Sequence, residues 1–161
     1  MIREERPDDA PAIAALLAEA FGRDAEAALV ERLRRDGDVL LSLVAADDRR
    51  LVGHVLFSRM QAPFRAAALA PLAVLPHHQR QGIGTRLIEA GLARLARDGW
   101  EGVVVLGAPS YYRRFGFDAA LARGIAATYA GPHLMICPLR PSLPVKTGAL
   151  VHAPAFDDPD L

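Results

Sequence analysis

The sequence predicts an α/β (α+β) fold in a single domain, with a mixed central sheet flanked by helices, and three observations carry that prediction. Two helical periodicities precede most of the strands: Ile13, Leu16, Leu17 and Ala20, then Leu29, Val30 and Leu33. Two β-rich runs, "DVLLSLVAA" and "LVGHVLFSRM", flank the charged turn "DDRR" and read as an antiparallel hairpin. A further run is followed by a glycine turn, an amphipathic stretch and the apolar "GVVVLG", the order that normally closes as a right-handed parallel crossover. A hairpin and a crossover in one sheet make it mixed, and 161 residues suit one domain with a sizeable core.

Taken in order, "IREER" alternates weakly up to Pro7, and Asp8 or Asp9 is placed to cap the first helix, which Gly22 can stop. The second helix is expected from Asp24 to the Asp36-Gly37 break. After the hairpin, the third strand is expected over Leu69 to Leu75, ending at Pro76. The next helix opens at Gly82, carries Gly84, Ile88, Gly91, Leu92 and Leu95 on one side, and stops at Gly99. "PSYYRRFGF" suits a short helix closed by Gly116, with strands expected near Phe117 and at "HLMICPL". Recurrent prolines from Pro138 onward predict an irregular tail, so the domain is drawn as 1–140 with a Pro-rich segment, 141–161, packed on it or extending from it.

The totals exclude several classes of function. Lys plus Arg and Asp plus Glu are each 19, so the net charge is zero and no basic footprint points to nucleic acid. The lone Cys137 allows no internal disulfide, which suits a reducing compartment. The opening "MIREERPDDAP" lacks the apolar core of a signal peptide, so a cytoplasmic location is expected. No stretch approaches the roughly 18 consecutive apolar residues of a membrane span, so no membrane partner is expected.

The segment with the most chemistry is "HHQRQGIGTRL". Glycines leave backbone N–H groups sterically open, and a helix start leaves several of them unpaired, so this junction suits an anion. A phosphate-binding P-loop needs G-x-x-x-x-G-K-[ST], and neither that spacing nor the lysine is present. A dinucleotide fingerprint needs G-x-G-x-x-G directly after a strand; Leu87 stands where the third glycine would, and several residues separate Leu75 from Gly82. The pattern that remains, Gln79-Arg80-Gln81-Gly82-Ile83-Gly84, fits Q/R-x-x-G-x-G/A. The same glycines would also serve a tight turn and close helix packing.

That pattern, between a β-run ending in "LAVLP" and an amphipathic helix, resembles the pyrophosphate loop of the GNAT superfamily of N-acetyltransferases. The resemblance runs from the early helices through "GHVLFS", "LAPLAVLP", "QRQGIGTRLI" and "VVVLG" to "YYRRFGF", and is similar in detail to the YhbS-like branch. It implies the GNAT acyltransferase fold, whose central sheet contains a splayed pair of parallel strands. It also implies acetyl coenzyme A as co-substrate, with no metal. Gln79, Arg80, Gln81, Gly82, Ile83, Gly84 and Thr85 would receive the pyrophosphate, with Arg80 and Arg86 as phosphate contacts or ordinary solvated arginines. Leu72, Ala73 and Val74 match the strand whose open edge takes the pantetheine arm; an ordinary buried strand would look the same in sequence.

Acyl transfer from a thioester to an amine also needs proton transfers. A lysine-like amine is neutral in only about one part in a few thousand at pH 7, and the departing thiolate needs a proton. The resemblance implies Tyr112, four residues before Gly116, as the general acid; its phenol is neutral at pH 7. Packing of the short helix is the competing role for Tyr112, and packing or substrate contact the role for Tyr111. Several members of the superfamily take the base from a carboxylate on the strand here spanning Leu69 to Leu75, which contains none. His54, on the same face of its strand as Ser58, is the alternative; a core histidine satisfied by backbone and deprotonation through water compete with it.

His77 and His78 point to different sides of a loop with no Cys or carboxylate to complete a zinc site, so no metal is assigned. Cys137 has no clear His partner and reads as a structural thiol, Trp100 as a packing residue and "DDPDL" as a solvated end. The expected function is direct transfer of acetyl to a primary amine, on a small polyamine, an amino-acid-like molecule, an aminoglycoside or a protein. The rival is a non-catalytic acyl-coenzyme A sensor that uses the same loop. Homodimers are frequent in the superfamily and a homodimer is admitted here.

Overall fold

The computed structural model describes all residues from Met1 to Leu161. The chain runs β1 (Ile2–Glu4), α1 (Ala10–Phe21), α2 (Ala25–Asp36), β2 (Val39–Ala46), β3 (Leu51–Gln61), β4 (Ala66–Val74), α3 (Ile83–Arg97), β5 (Gly102–Leu106), α4 (Pro109–Tyr112), β6 (Ile125–Ala127), β7 (Leu134–Pro138) and β8 (Gly148–His152). The strands lie in the order β1-β2-β3-β4-β5-β7, with β8 paired to β3 and β6. Within the main path β4 and β5 are the parallel neighbours, and every other pairing is antiparallel.

Both early helices stop where glycine takes a left-handed conformation, Gly22 at φ 68° and Gly37 at φ 76°. The expected aspartate cap is different in detail. Pro7–Asp9 forms a separate 3-10 turn, and the Asp9 carboxylate accepts from the Arg6 N–H at 2.7 Å and from the Arg3 guanidinium at 2.7 and 3.1 Å. The charged donor competes for the oxygens that a helix cap would use.

Two layers cover the sheet. A Cβ on Gly53 would sit 3.0 Å from Ile83 and Leu87, and one on Gly91 would enter the Phe57 ring, so α3 lies directly on β3. Strand alternation then directs His54 and Leu56 to the opposite face, where α1 and α2 pack. Leu87, Ile88 and Leu95 of α3 are essentially inaccessible; each such side chain stabilises the fold by about 1.5–3 kcal/mol relative to exposure.

Three expectations change. The third strand starts at Ala66, earlier than Leu69, because small alanines fit the crowded pairing of Ala66–Leu69 with Gly102–Val105. Near Phe117 there is no strand, only an isolated bridge between Asp118 and Ile136. The tail is not irregular throughout: β8 pairs Met60 with His152 and Gln61 with Val151. Tyr129 Oη donates to the Phe156 carbonyl at 3.2 Å, and Arg23 to that of Asp160 at 3.0 Å. No helix is long and apolar enough to cross a membrane.

Candidate active site

The site begins with an interruption in the sheet. The β4–β5 ladder ends at Leu69 and Val105, and beyond that point β4 continues beside β3 alone. The cause is local. Val55 pairs with Leu72 and Phe57 with Leu69, so Ala70 and Pro71 together face the single residue Leu56. This is a bulge, which bends a strand, placed at a proline, which has no N–H to give a ladder. β4 therefore leaves β5 at Pro71 and opens a cleft.

The polarity of the freed edge follows from the pairing with β3. Leu75 N–H donates to Val52 at 2.9 Å, and in an antiparallel ladder alternate residues bond to the same neighbour. Ala73 therefore turns its N–H and C=O toward His54, while Leu72 and Val74 turn theirs into the cleft. This corrects the expectation that all three residues offer backbone groups. Ala73 supplies only a small side chain, buried on the α1/α2 face.

The glycine loop stands beside that edge. Gln79 Nε2 donates to the Val74 carbonyl at 3.1 Å, so its amide tethers the loop to β4, and Gln81 Nε2 donates to His77 O at 3.3 Å. Arg80 has φ 62° and Gly82 has φ 80°, so the backbone reverses twice before α3. The first helical bond runs from Arg86 N–H to Gly82 O, leaving the N–H groups of Ile83, Gly84 and Thr85 ahead of the first closed turn. They face a cavity of about 560 Å³, also lined by Leu72, Val74, Tyr111 and Arg114. Such amides and the helix dipole favour an anion.

Of two further contributors here, the sequence assigns Tyr111 only packing or substrate contact and does not assign Arg114. A Cβ on Gly84 would lie 3.0 Å from Tyr111 Oη, so that glycine lets the phenol rest against the first turn of α3. Arg114 packs its guanidinium 4.8 Å from the Tyr111 ring centre and donates Nε–H to the Tyr111 carbonyl at 2.9 Å, a cation fixed at the cavity wall. The doubled "YYRR" was the available signal, but which member of each pair turns to the loop is decided by the α4 turn.

Tyr112 faces the other way. Its ring stands edge-on to Tyr111 at 5.0 Å and to Phe117 at 5.6 Å, and burial, with Tyr111 adding to it, pushes its hydroxyl up to about 12. It lines a second cavity of about 640 Å³ with Leu69 to Leu72 of β4, Leu106 of β5, Glu26 and Leu29 of α2, Tyr129 from the turn after β6, and His152 and Phe156 from the end of the chain. Leu72 borders both cavities, so they meet at the break in the sheet.

His54 reaches neither cavity. It is fully buried on a central strand, with Nε2 2.9 Å from Ser42 Oγ, and burial, then the charge of Arg34, lowers it to about 3. Covered on both sides, it has no route to a substrate proton; it is a core histidine, but one held by the Ser42 side chain rather than by backbone, with its Nδ1 unpartnered. His78 lies 3.7 Å from Asp47 at the loop cavity, while His77 is exposed. Cys137 is buried, its thiol raised to about 11 by burial, and Trp100 carries the Arg65 guanidinium at 4.7 Å.

A parallel pair that parts at a bulge, next to unpaired amides at a helix start, defines the class of site: an anion cradle continued by an open strand edge that suits an extended ligand. The sequence pattern described as the Acetyltransferase (GNAT) family matches residues 3–117. The chain belongs to that family. It is 42% identical over 135 residues to an uncharacterized N-acetyltransferase, YhbS, of Escherichia coli strain K12, covering 81% of each. The crystal structure of Escherichia coli YhbS in complex with CoA superposes with a TM-score of 0.92 at 37% identity, covering 98% of this chain and 91% of that one. A GNAT family acetyltransferase from Brucella melitensis in complex with acetyl-CoA superposes with a TM-score of 0.83 at 36% identity, covering 98% and 97%.

Proposed function

We infer that this chain transfers the acetyl group of acetyl coenzyme A directly to a primary amine. The observation that carries the reading is the meeting of two cavities at Leu72, one suited to an anion and one to an acceptor, where the β4–β5 ladder ends. The pyrophosphate is received by the N–H groups from Gln81 to Thr85 together with Arg114. Arg80 lines the same cavity as a further cation, whereas Gln79 acts by holding the loop on Val74. Pantetheine lies along the freed edge of β4 and bonds the main chain of Leu72 and Val74. Its thioester is thereby led to Tyr112. The relatives crystallised with CoA and acetyl-CoA support this arrangement.

In the reaction, the neutral amine attacks the thioester carbonyl, an N–C bond forms, and the C–S bond breaks. Tyr112, which keeps its proton across the physiological range, donates a hydrogen bond and then the proton to the departing sulfur. No acyl-enzyme is formed, since the buried, raised thiol of Cys137 is no nucleophile. A coenzyme sensor would have no use for the second cavity or for a phenol opening into it. The reaction is placed in the cytoplasm, where Cys137 stays a thiol.

The test is release of free thiol from acetyl coenzyme A across a panel of amines: spermidine, lysine amide, kanamycin and a lysine-containing peptide. Release with at least one amine supports the transferase. Tight coenzyme binding with no release from any of them supports the sensor instead.

A further inference from the structure

The buried His54 leaves the acceptor nitrogen without a partner for its proton, and the second cavity contains a different imidazole. His152 ends β8, is half-buried, and lines that cavity together with Tyr112. The edges of Tyr129 and Phe156 hold its ring at 5.3 and 5.1 Å between centres, fixing its plane by packing and leaving its nitrogens free for another molecule. Three carboxylates share the wall. Glu26 is bound by Arg23 through two contacts of 2.9 and 2.5 Å, Asp158 accepts the Asp160 N–H at 2.9 Å, and Asp157 is exposed to solvent.

We propose that His152 is the catalytic base, taking the proton from the acceptor nitrogen as acetyl is transferred. This rests on the transferase reading above. The balance is as follows: the amine attacks neutral, its nitrogen becomes cationic as the N–C bond forms, and His152 takes one proton from it. Tyr112 gives one proton to sulfur as the C–S bond breaks, and solvent later reprotonates the phenolate and relieves the imidazolium. Burial holds His152 below the ordinary histidine value, with Asp157 opposing, so it is neutral and able to accept near pH 7. The charged and titratable groups around it are Asp157 beside it, Tyr129 against its ring, Glu26, Asp158 and Tyr112 across the cavity, and Asp38 and Arg59 in the shallower cavity on its other side.

His152→Phe keeps an aromatic ring between Tyr129 and Phe156, and His152→Asn keeps polarity; together they separate lost packing from lost basicity. With the panel amine that reacts fastest, both variants should lose about 10² in kcat/KM at pH 7, a usual share for general-base catalysis. Above pH 9 the deficit should shrink at least tenfold as hydroxide takes over, while coenzyme affinity by calorimetry stays within threefold. A deficit of the same size at every pH, or under threefold at pH 7, overturns the role of His152 and leaves the transferase intact. Failure of the wild type to release thiol with any amine overturns both readings.

Discussion

Gly107 lies beneath the ring of Tyr112: a Cβ placed on that glycine would come 2.5 Å from Tyr112 Cε2. The end of β5 must be bare for the phenol to lean over it. Gly107→Ala should move the ring, and a 1 Å misplacement can cost about 10²-fold in rate. We expect kcat to fall by roughly 10–100-fold with coenzyme affinity nearly unchanged. Steady-state kinetics and calorimetry on the same preparation check both halves.

Tyr112→Phe removes the proton and keeps the packing against Tyr111 and Phe117. The expected loss in kcat is about 10²–10³-fold, within the range of acid catalysis, with coenzyme binding unaffected. Because the proposed acid is the protonated phenol and its value is pushed up to about 12, the wild-type profile should show no alkaline decline from this group below about pH 11. Equal rates in the two proteins would remove the acid role.

Gly82 tests the loop by strain rather than by bulk, since no atom lies within 4 Å of a Cβ built there, yet its φ is 80°. A side chain at such a φ costs about 1–2 kcal/mol, and the backbone can relieve it by turning its N–H groups out of the cavity. Gly82→Val should weaken coenzyme A binding by tenfold or more while circular dichroism shows the fold retained. Unchanged affinity by calorimetry would mean that the turn is only structural.

His54 sets a stability dependence on pH. Its folded value, about 3, lies below the ordinary 6.5, so between those limits the unfolded chain binds a proton that the native protein does not. Stability therefore rises with pH through this window and is lost as pH falls below about 6.5, with a limiting slope near 1.4 kcal/mol per unit. Asp9, lowered from 3.8 to about 2 by its bond to Arg3, contributes only at lower pH. Urea unfolding between pH 7 and 5.5 should show a shallower pH slope for His54→Gln than for wild type, and parallel slopes would disprove the assignment.

Where a local pattern has a single physical solution, the sequence alone was enough. The αL stops at Gly22 and Gly37, the apolar stripe of α3 and the unpaired amides after Gly82 all follow from neighbours a few residues away. So did the family, because the loop pattern and the flanking strand and helix are local in the chain. The break in the sheet was half visible, as a proline within a β-run, but its position depended on the opposing count in β3, where Ala70 and Pro71 share Leu56.

Long-range burial decided the rest. His54 and His152 are the same side chain on strands, yet one is sealed between two layers and the other lines the second cavity. The difference lies in which strands receive covering helices, and that is set by packing among segments distant in sequence. The tail shows the same limit: its prolines pointed to irregular chain, but pairing with Met60 and Gln61 makes β8 and brings His152 across from Tyr112. Local propensity is a weak force beside the free energy of joining an open sheet edge and burying an apolar wall.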